Sequence, residues 1–242
     1  MLLTIFIIFA ICFIIERIFT GWELPAIKTW PLRVLSINFI QLIVVLIGGY
    51  TWETWLSSQS IFHLSEYVSP IVGGAIAYFI ATFIFYWWHR WRHEYDFLWL
   101  AFHQIHHSPR RLEVITSFYK HPVEMITNSI LGSLLVYALL GLSLEAGAIY
   151  TFCTAIGEFF YHTNIKTPQW IGYFFQRPEM HRIHHQSNYH KNNYGDITWW
   201  DMLFGTYENP KEWNEKCGFT PEREERLGDM LIYQDVHKRK RN

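Results

Sequence analysis

The stretch His89–His107 reads HRWRHEYDFLWLAFHQIHH, and five of its nineteen residues are histidine, at 89, 93, 103, 106 and 107. Residues three and four apart project from one face of a helix. His89 and His93 (H-x-x-x-H) therefore form one pair, and His103, His106 and His107 (H-x-x-H-H) form a second cluster. The H-x-x-H-H pattern returns as His181, His184 and His185. Neutral imidazole is the commonest protein metal ligand, and this spacing lets adjacent turns grip one ion. A lone histidine is usually a packed or surface residue. Two copies of a three-histidine pattern beside an i, i+4 pair point to a metal site.

His121 and His162 join the set. His121 stands before Pro122, where a proline at the first helical position is favoured, and His162 closes a later apolar segment at the same level. Ten histidines are too many for a single tetrahedral ion and enough for two ions of higher coordination. The three cysteines (Cys12, Cys153, Cys217) lie far apart, which argues against an iron–sulfur cluster or a cysteine–zinc site. Imidazole suits iron, copper, zinc and nickel, so ligand type alone does not choose the metal. Glu158, Asp196 and Asp201 are candidate acceptors for fixing imidazole tautomers, with capping or surface pairing as the plain alternative. His190 lies outside the boxes and at most supports a ligand. His63 and His237 are not ligands.

Such a site needs helices that end at one level, and the sequence supplies apolar segments to do it. Met1–Ile15 is almost purely apolar and reads as a retained membrane helix, Leu32–Tyr50 as a second span and Val68–Trp88 as a third. Val123–Leu140 and Glu145–Tyr161 form a helical hairpin around Gly141-Leu142-Ser143. The chain leaves near His121 and returns near His162, so every histidine box falls on one side of the bilayer. All twenty Lys and Arg residues lie on that same side of the spans, and Thr51–Tyr67 and Gly141–Ser143 hold none. By the positive-inside rule the boxes and the C-terminus are cytoplasmic.

The expected fold is therefore all-α: three spans plus a helical hairpin, under a cytosolic, histidine-rich helical cap. Residues 1–242 form one membrane-embedded domain, with N-terminal spans at 1–67, a histidine-box core at 68–207 and a cytosolic tail at 208–242. Trp199, Trp200, Leu203 and Phe204 are expected to pack against the histidine helices. The basic run Lys238–Arg241 suits a solvated end or contact with anionic headgroups, and its lysine spacing resembles a dilysine retrieval signal. Net charge is −1 and no nucleic-acid motif is present, so nucleic acid is not a partner.

H-x-x-x-H, then H-x-x-H-H, and a late H-x-x-H-H after several spans resemble the fatty acid hydroxylase/sterol desaturase superfamily of membrane di-iron oxygenases. His181–Tyr207, HRIHHQSNYHKNNYGDITWWDMLFGTY, is similar to that family's C-terminal signature, and Lys120–Glu124 (KHPVE) and His162–Asn164 (H-x-N) sit where it carries further site elements. The resemblance implies two iron ions (zinc as a substitute in a structure), O2, and oxidation of a lipid C–H bond by hydroxylation or desaturation. The lipid enters sideways from the bilayer. No H-P-G-G heme element is present, so electrons come from a separate ferredoxin, cytochrome or reductase. Some relatives carry a histidine four residues after His162. Lys166 stands there in this chain, which leaves Asn164 as the substitute, directly or through water. Two other readings compete. A zinc-dependent membrane hydrolase lacks support from H-E-x-x-H, and a non-catalytic metal-binding membrane protein would want polar residues within the spans, where the first three offer little beyond Asn38 and Gln41.

Overall fold

The computed structural model describes residues 2–238, so Met1 and the basic run Arg239–Arg241 lie outside the described residues. Among the described residues the chain is all-helical, with two isolated bridge pairs and no strand. The long elements are α1 (Leu2–Ile18), α2 (Trp30–Tyr50), followed after a break at Thr51 by α3 (Trp52–Leu56), and α4 (Pro70–Glu94). A short α5 (Asp96–Leu98), a π-turn (Trp99–His103) and α6 (Gln104–His107) then carry the second histidine box. The hairpin is α7 (Pro122–Ser133), extended by a π-turn over Leu134–Leu139, and α8 (Leu144–His162). Four short helices follow: α9 (Pro178–His184), α10 (Trp199–Phe204), α11 (Pro221–Glu224) and α12 (Leu227–Leu231).

Three stretches are long and apolar enough to cross a membrane: Trp30–Leu56, Pro70–Glu94 and Pro122–Leu139. This is the architecture of a multi-pass membrane protein. The first helix, expected over Met1–Ile15, is not among them. Its 17 residues span only about 25 Å at 1.5 Å per residue, short of a ~30 Å hydrocarbon core. The last arm, α8, has 19 residues, carries Glu145 and Glu158, and is not among these three stretches.

Local chemistry sets the helix starts. Pro31, Pro70 and Pro122 occupy first-turn positions, where their missing N–H costs nothing. Ser69 and Ser143 cap α4 and α8 through their hydroxyl oxygens. Small residues then let α4 and α8 approach closely. A methyl group added at Gly74 would sit 2.7 Å from the Ile149 side chain and 2.8 Å from the Ala146 carbonyl. The α4–α8 contact therefore sets the angle at which His89, His93 and His162 reach a common level.

The hairpin returns the chain to the histidine end. The hairpin bend pairs with the loop before α4: Ile61 N–H donates to Ala138 O at 2.9 Å and Leu64 N–H to Leu140 O at 2.9 Å. Both connections lie at the end away from the histidines. At the histidine end, two buried carboxylates stitch the bundle together. Glu16 accepts from the amides of Val114 (2.8 Å) and Asn164 (3.0 Å), joining α1 to the loop before α7 and to the end of α8. Glu113 accepts from Arg17 (2.7 Å), Trp30 (2.9 Å) and Arg111 (2.6 Å).

The segment after Glu208 folds back over this end. Gln104 exchanges hydrogen bonds with Val236 N (3.1 Å) and Gln234 O (2.9 Å), and buried Arg33 donates to Glu224 O at 2.7 Å. One packing expectation holds in part. Trp200 and Phe204, one helical turn apart, pack on Phe83 of α4, and Trp200 Nε1 donates to Thr82 at 2.9 Å. Trp199 and Leu203 face outward instead, 48% and 68% exposed, because a single short helix offers α4 only one face.

Replacing Glu16 with alanine orphans two buried amides, so Glu16→Ala should destabilise the detergent-solubilised protein by about 2–4 kcal/mol. Chemical denaturation followed by tryptophan fluorescence measures this. An unchanged midpoint would show that α1 is held by apolar packing alone.

Candidate metal centre

Nine of the ten candidate histidines converge in two groups. His89, His93, His103, His107 and His184 form the first; His106, His162, His181 and His185 form the second, with the ligand atoms of each group within 4.8 Å of one another. Each H-x-x-H-H box is thus divided rather than acting as one cluster. Residues four apart stay together (103 with 107, 181 with 185), and the odd residue (106, 184) faces the other group. The groups touch where the His107 and His185 rings stack, 4.1 Å between centroids and 12° from parallel. The π-turn over Trp99–His103 ends at His103, whose φ of −128° departs from helical geometry. Inserted π-turns of this kind commonly serve functional sites.

The outer nitrogens of several rings are tied to backbone carbonyls. His89 Nδ1–H donates to Tyr194 O at 2.8 Å, His162 Nδ1–H to Glu158 O at 2.8 Å and His184 Nδ1–H to Asn192 O at 2.7 Å. His106 makes a longer bond of this type, 3.3 Å to Tyr119 O. Each bond fixes the proton on Nδ1 and leaves the Nε2 lone pair pointing inward. Several inward nitrogens have no hydrogen-bond partner although fully buried: Nε2 of His93, His107 and His184, and both nitrogens of His185. Unpaired polar atoms at this density are costly unless a cation binds them. Burial and neighbouring rings hold His103, His106, His107, His181 and His185 well below the ordinary histidine range, and burial pushes His184 down to about 3. All are neutral, the form that coordinates metal. The donor set fits two ions bound by nitrogen.

His121 is not among these nine. Its Nδ1 accepts from Val123 N at 3.1 Å and its Nε2–H donates to Leu231 O at 3.3 Å, so it caps α7 and anchors the C-terminal segment. The proline that starts α7 holds its predecessor as a helix cap, turned away from both groups. Asn164 does not substitute for a ligand either. Its carbonyl accepts from Arg182 (2.7 Å) and Trp22 N (3.2 Å) and its amide donates to Trp22 O (2.9 Å), which uses the side chain as a clamp.

The carboxylates also divide. Asp201 accepts from Tyr194 N (2.8 Å), Gly195 N (2.9 Å) and Thr206 Oγ1 (2.7 Å), so it touches no imidazole but shapes the loop whose carbonyl holds His89. Glu158 Oε2 lies 3.7 Å from His162 Nδ1, beyond hydrogen-bond length, while Oε1 accepts from Lys120 at 2.7 Å. Asp196 faces a cavity, and removal from water together with the Glu158 charge pushes it up to about 7.

Two further residues support the rings, one of them absent from the sequence reading. Glu124 is fully buried, 3.3 Å from His103 Nδ1, and ion-paired with buried Arg92, whose guanidinium also reaches His103 at 3.0 Å. Its signal in the sequence is the last residue of the K-H-P-V-E element. The other is His190, whose ring meets His107 at 3.1 Å between Nδ1 atoms and whose backbone is bonded to His93. It adopts a left-handed φ of 46°, as do Asn188, Asn192 and Asn193. Asparagine and histidine adopt that region more readily than most residues, and the turn it makes holds the ring against His107.

A cavity of about 770 Å³ reaches this centre. It touches His89 and His103 of one group and His106 and His181 of the other, and it is walled by α1, α2, α4, α7 and α8. Phe6 of α1 and Leu35 and Phe39 of α2 line it and are each more than half exposed.

A model of the fatty acid hydroxylase family matches residues 74–206, which contain all nine converging histidines. An ornithine lipid hydroxylase of Rhizobium tropici is 35% identical over 135 residues, 54% of this chain and 40% of that protein. Human alkylglycerol monooxygenase is 30% identical over 142 residues, 56% of this chain and 31% of its own length. A sphingolipid C4-hydroxylase of Schizosaccharomyces pombe is 28% identical over 145 residues, 57% of this chain and 50% of that protein. The matched region thus spans half or less of each of these relatives. No solved structure gives a significant match.

His190→Asn keeps a residue suited to the left-handed backbone but removes the partner of His107. Metal affinity should fall roughly tenfold to a hundredfold, the usual effect of losing a ligand's outer partner. His121→Ala should leave metal content unchanged and lower stability by about 1 kcal/mol, as for a lost helix cap. Chelator competition with zinc reads the first and thermal denaturation the second. Wild-type affinity in His190→Asn would remove that residue from the centre.

Proposed function

The chain belongs to the fatty acid hydroxylase family, and on that premise we propose that it is a membrane oxidoreductase that hydroxylates a lipid C–H bond with O2. One observation carries this reading. A mainly apolar cavity, lined by exposed Phe6, Leu35 and Phe39 of α1 and α2, reaches histidines from both groups. A lipid chain can reach the centre there without passing through water. The similarity to lipid hydroxylases and a monooxygenase supports hydroxylation over desaturation as the outcome.

The reaction balances as R–H + O2 + 2 electrons + 2 protons giving R–OH + H2O. Two irons, held by His89, His93, His103, His107 and His184 on one side and by His106, His162, His181 and His185 on the other, would supply the chemistry of O2 activation. The protein's share is positioning and exclusion. The backbone carbonyls of Tyr194, Asn192 and Glu158 hold ring orientation, Glu124 braces His103, and the folded-back C-terminal segment covers the histidine end. Fixed geometry of this kind turns a bimolecular encounter into a positioned one. Electrons come from a separate ferredoxin, cytochrome or reductase.

The histidine end faces the cytoplasm in this reading, because the sequence keeps every Lys and Arg away from the opposite connections. Cysteines placed in Thr51–Tyr67 should be labelled by an impermeant reagent from outside, and cysteines placed in Glu208–Lys216 should not. Labelling of both from one face would overturn the orientation.

Protein purified from iron-replete cells should carry close to two metal ions per chain, and His107→Ala or His185→Ala should lower that content. A deletion strain should lack a hydroxylated lipid that returns with the wild-type gene and not with either variant. Full lipid oxidation by a His185→Ala protein, or an unchanged lipid profile in the deletion strain, would refute the proposed activity.

A further inference from the structure

The cavity is chemically uneven. Along its length most polar side chains are already engaged: Asn128 accepts from Trp88 at 2.8 Å, Ser129 from Trp52 at 3.2 Å, and Thr154 donates to Tyr150 O at 3.1 Å. At the histidine end the situation reverses. Lys120 donates to Glu158 Oε1 at 2.7 Å, and Glu158 Oε2 is buried with no hydrogen-bond partner. Asp196 faces the same space from the loop after α9, beside the Tyr161 hydroxyl. It lies against α8 at Gly157, where an added methyl group would sit 3.1 Å from Asp196 Oδ2 and 3.5 Å from the Tyr78 hydroxyl.

These acceptors sit one helical turn before His162. The cavity wall on α8 then runs from Glu158 to Gly147, a depth of about 16 Å at 1.5 Å per residue. A lipid lying in this cavity in its natural sense has its polar end at the histidine level and its chain down among the apolar side chains. The opposite sense would place the head group at Glu53, the carboxylate at the far end. One carboxylate there competes with two carboxylates, a lysine and two tyrosines here. The free acceptor favours the histidine end, since a buried oxygen without a donor costs about 1–3 kcal/mol until a partner arrives.

We infer that Glu158 and Asp196 form a head-group subsite for a hydroxyl or amide N–H donor on the lipid, so that oxidation falls on carbons next to the head group. This inference rests on the hydroxylase reading for its chemistry and on the cavity alone for its binding. The C–H bond converted to C–OH is then set by the anchored polar end, not by the length of the chain. Long chains of different length should be oxidised at the same distance from the head group.

The test has a binding arm and a turnover arm. In the first, metal-free protein in detergent is titrated with N-palmitoylethanolamine, which carries both donors, and with methyl palmitate, which carries neither, and retention is read by native mass spectrometry. Wild type should prefer the amide, and Glu158→Gln, Asp196→Asn and Gly157→Ala should each reduce that preference, the carboxylate variants roughly tenfold, as expected for one charge-assisted hydrogen bond. Equal retention of both probes by wild type, or an unchanged preference in all three variants, would overturn the subsite. In the second arm, iron-loaded protein with reductant and O2 acts on amides of two chain lengths. Products hydroxylated at a fixed distance from the amide support the inference, and hydroxylation at the far end of the chain overturns it. If wild type discriminates in binding but oxidises neither probe under O2, the subsite stands and the proposed activity fails.

Discussion

The structure depends on keeping nine imidazoles neutral, dry and aimed inward. A ring nitrogen buried without a partner is destabilising, and here several share one small volume. Hydrogen bonds from the outer nitrogens to main-chain carbonyls make that tolerable, because a carbonyl accepts one proton and fixes which nitrogen keeps its lone pair. Carbonyls can do this only if the segments that bear them are rigid. The loop after α9 is therefore braced in its turn, by Asp201 under Tyr194 and Gly195, and by Asn193 bonded to Met180 O and Glu208 O.

Much of this organisation was legible in the residues. Apolar runs of the right length, proline at helix starts and the even number of crossings between His121 and His162 were enough to bring the boxes to one end. Helical spacing was enough to pair His89 with His93. Spacing failed where neighbours in sequence part in space. In H-x-x-H-H the fourth and fifth positions diverge by about 100° on a helix, so His106 and His184 serve the group opposite their own box. The sequence also cannot show an acceptor that belongs to the backbone. Three carboxylates were set aside to orient rings, while carbonyls of Tyr194, Asn192 and Glu158 do that work.

Two polar residues outside both groups share a position. His121 and Asn164 stand at helix ends, where a polar side chain has a local alternative to any distant role. His121 took the cap of α7, and Asn164 took the clamp on Trp22 and Arg182. Level in the membrane was read as direction, and direction depends on the nearest unsatisfied backbone group. His190 is the converse case. Nothing in its spacing marks it, yet a left-handed backbone carries its ring under His107.

The Arg92–Glu124 pair shows the same priority of position over stability. A buried ion pair gains little net free energy, because desolvating two charges offsets most of their attraction. Apolar side chains of equal volume would hold α4 to α7 at least as well. What they would not do is meet His103, which stands at the end of the π-turn and whose outer nitrogen meets Arg92 and Glu124 rather than a carbonyl. His89, His106, His162 and His184 borrow rigidity from main-chain carbonyls; this ring is held instead by side chains that reach it from two helices at once. Removing one charge alone would leave the other buried without its partner, which is more costly than losing the pair. The pair is thus best understood as the support for a ligand that the helix geometry leaves without a backbone acceptor.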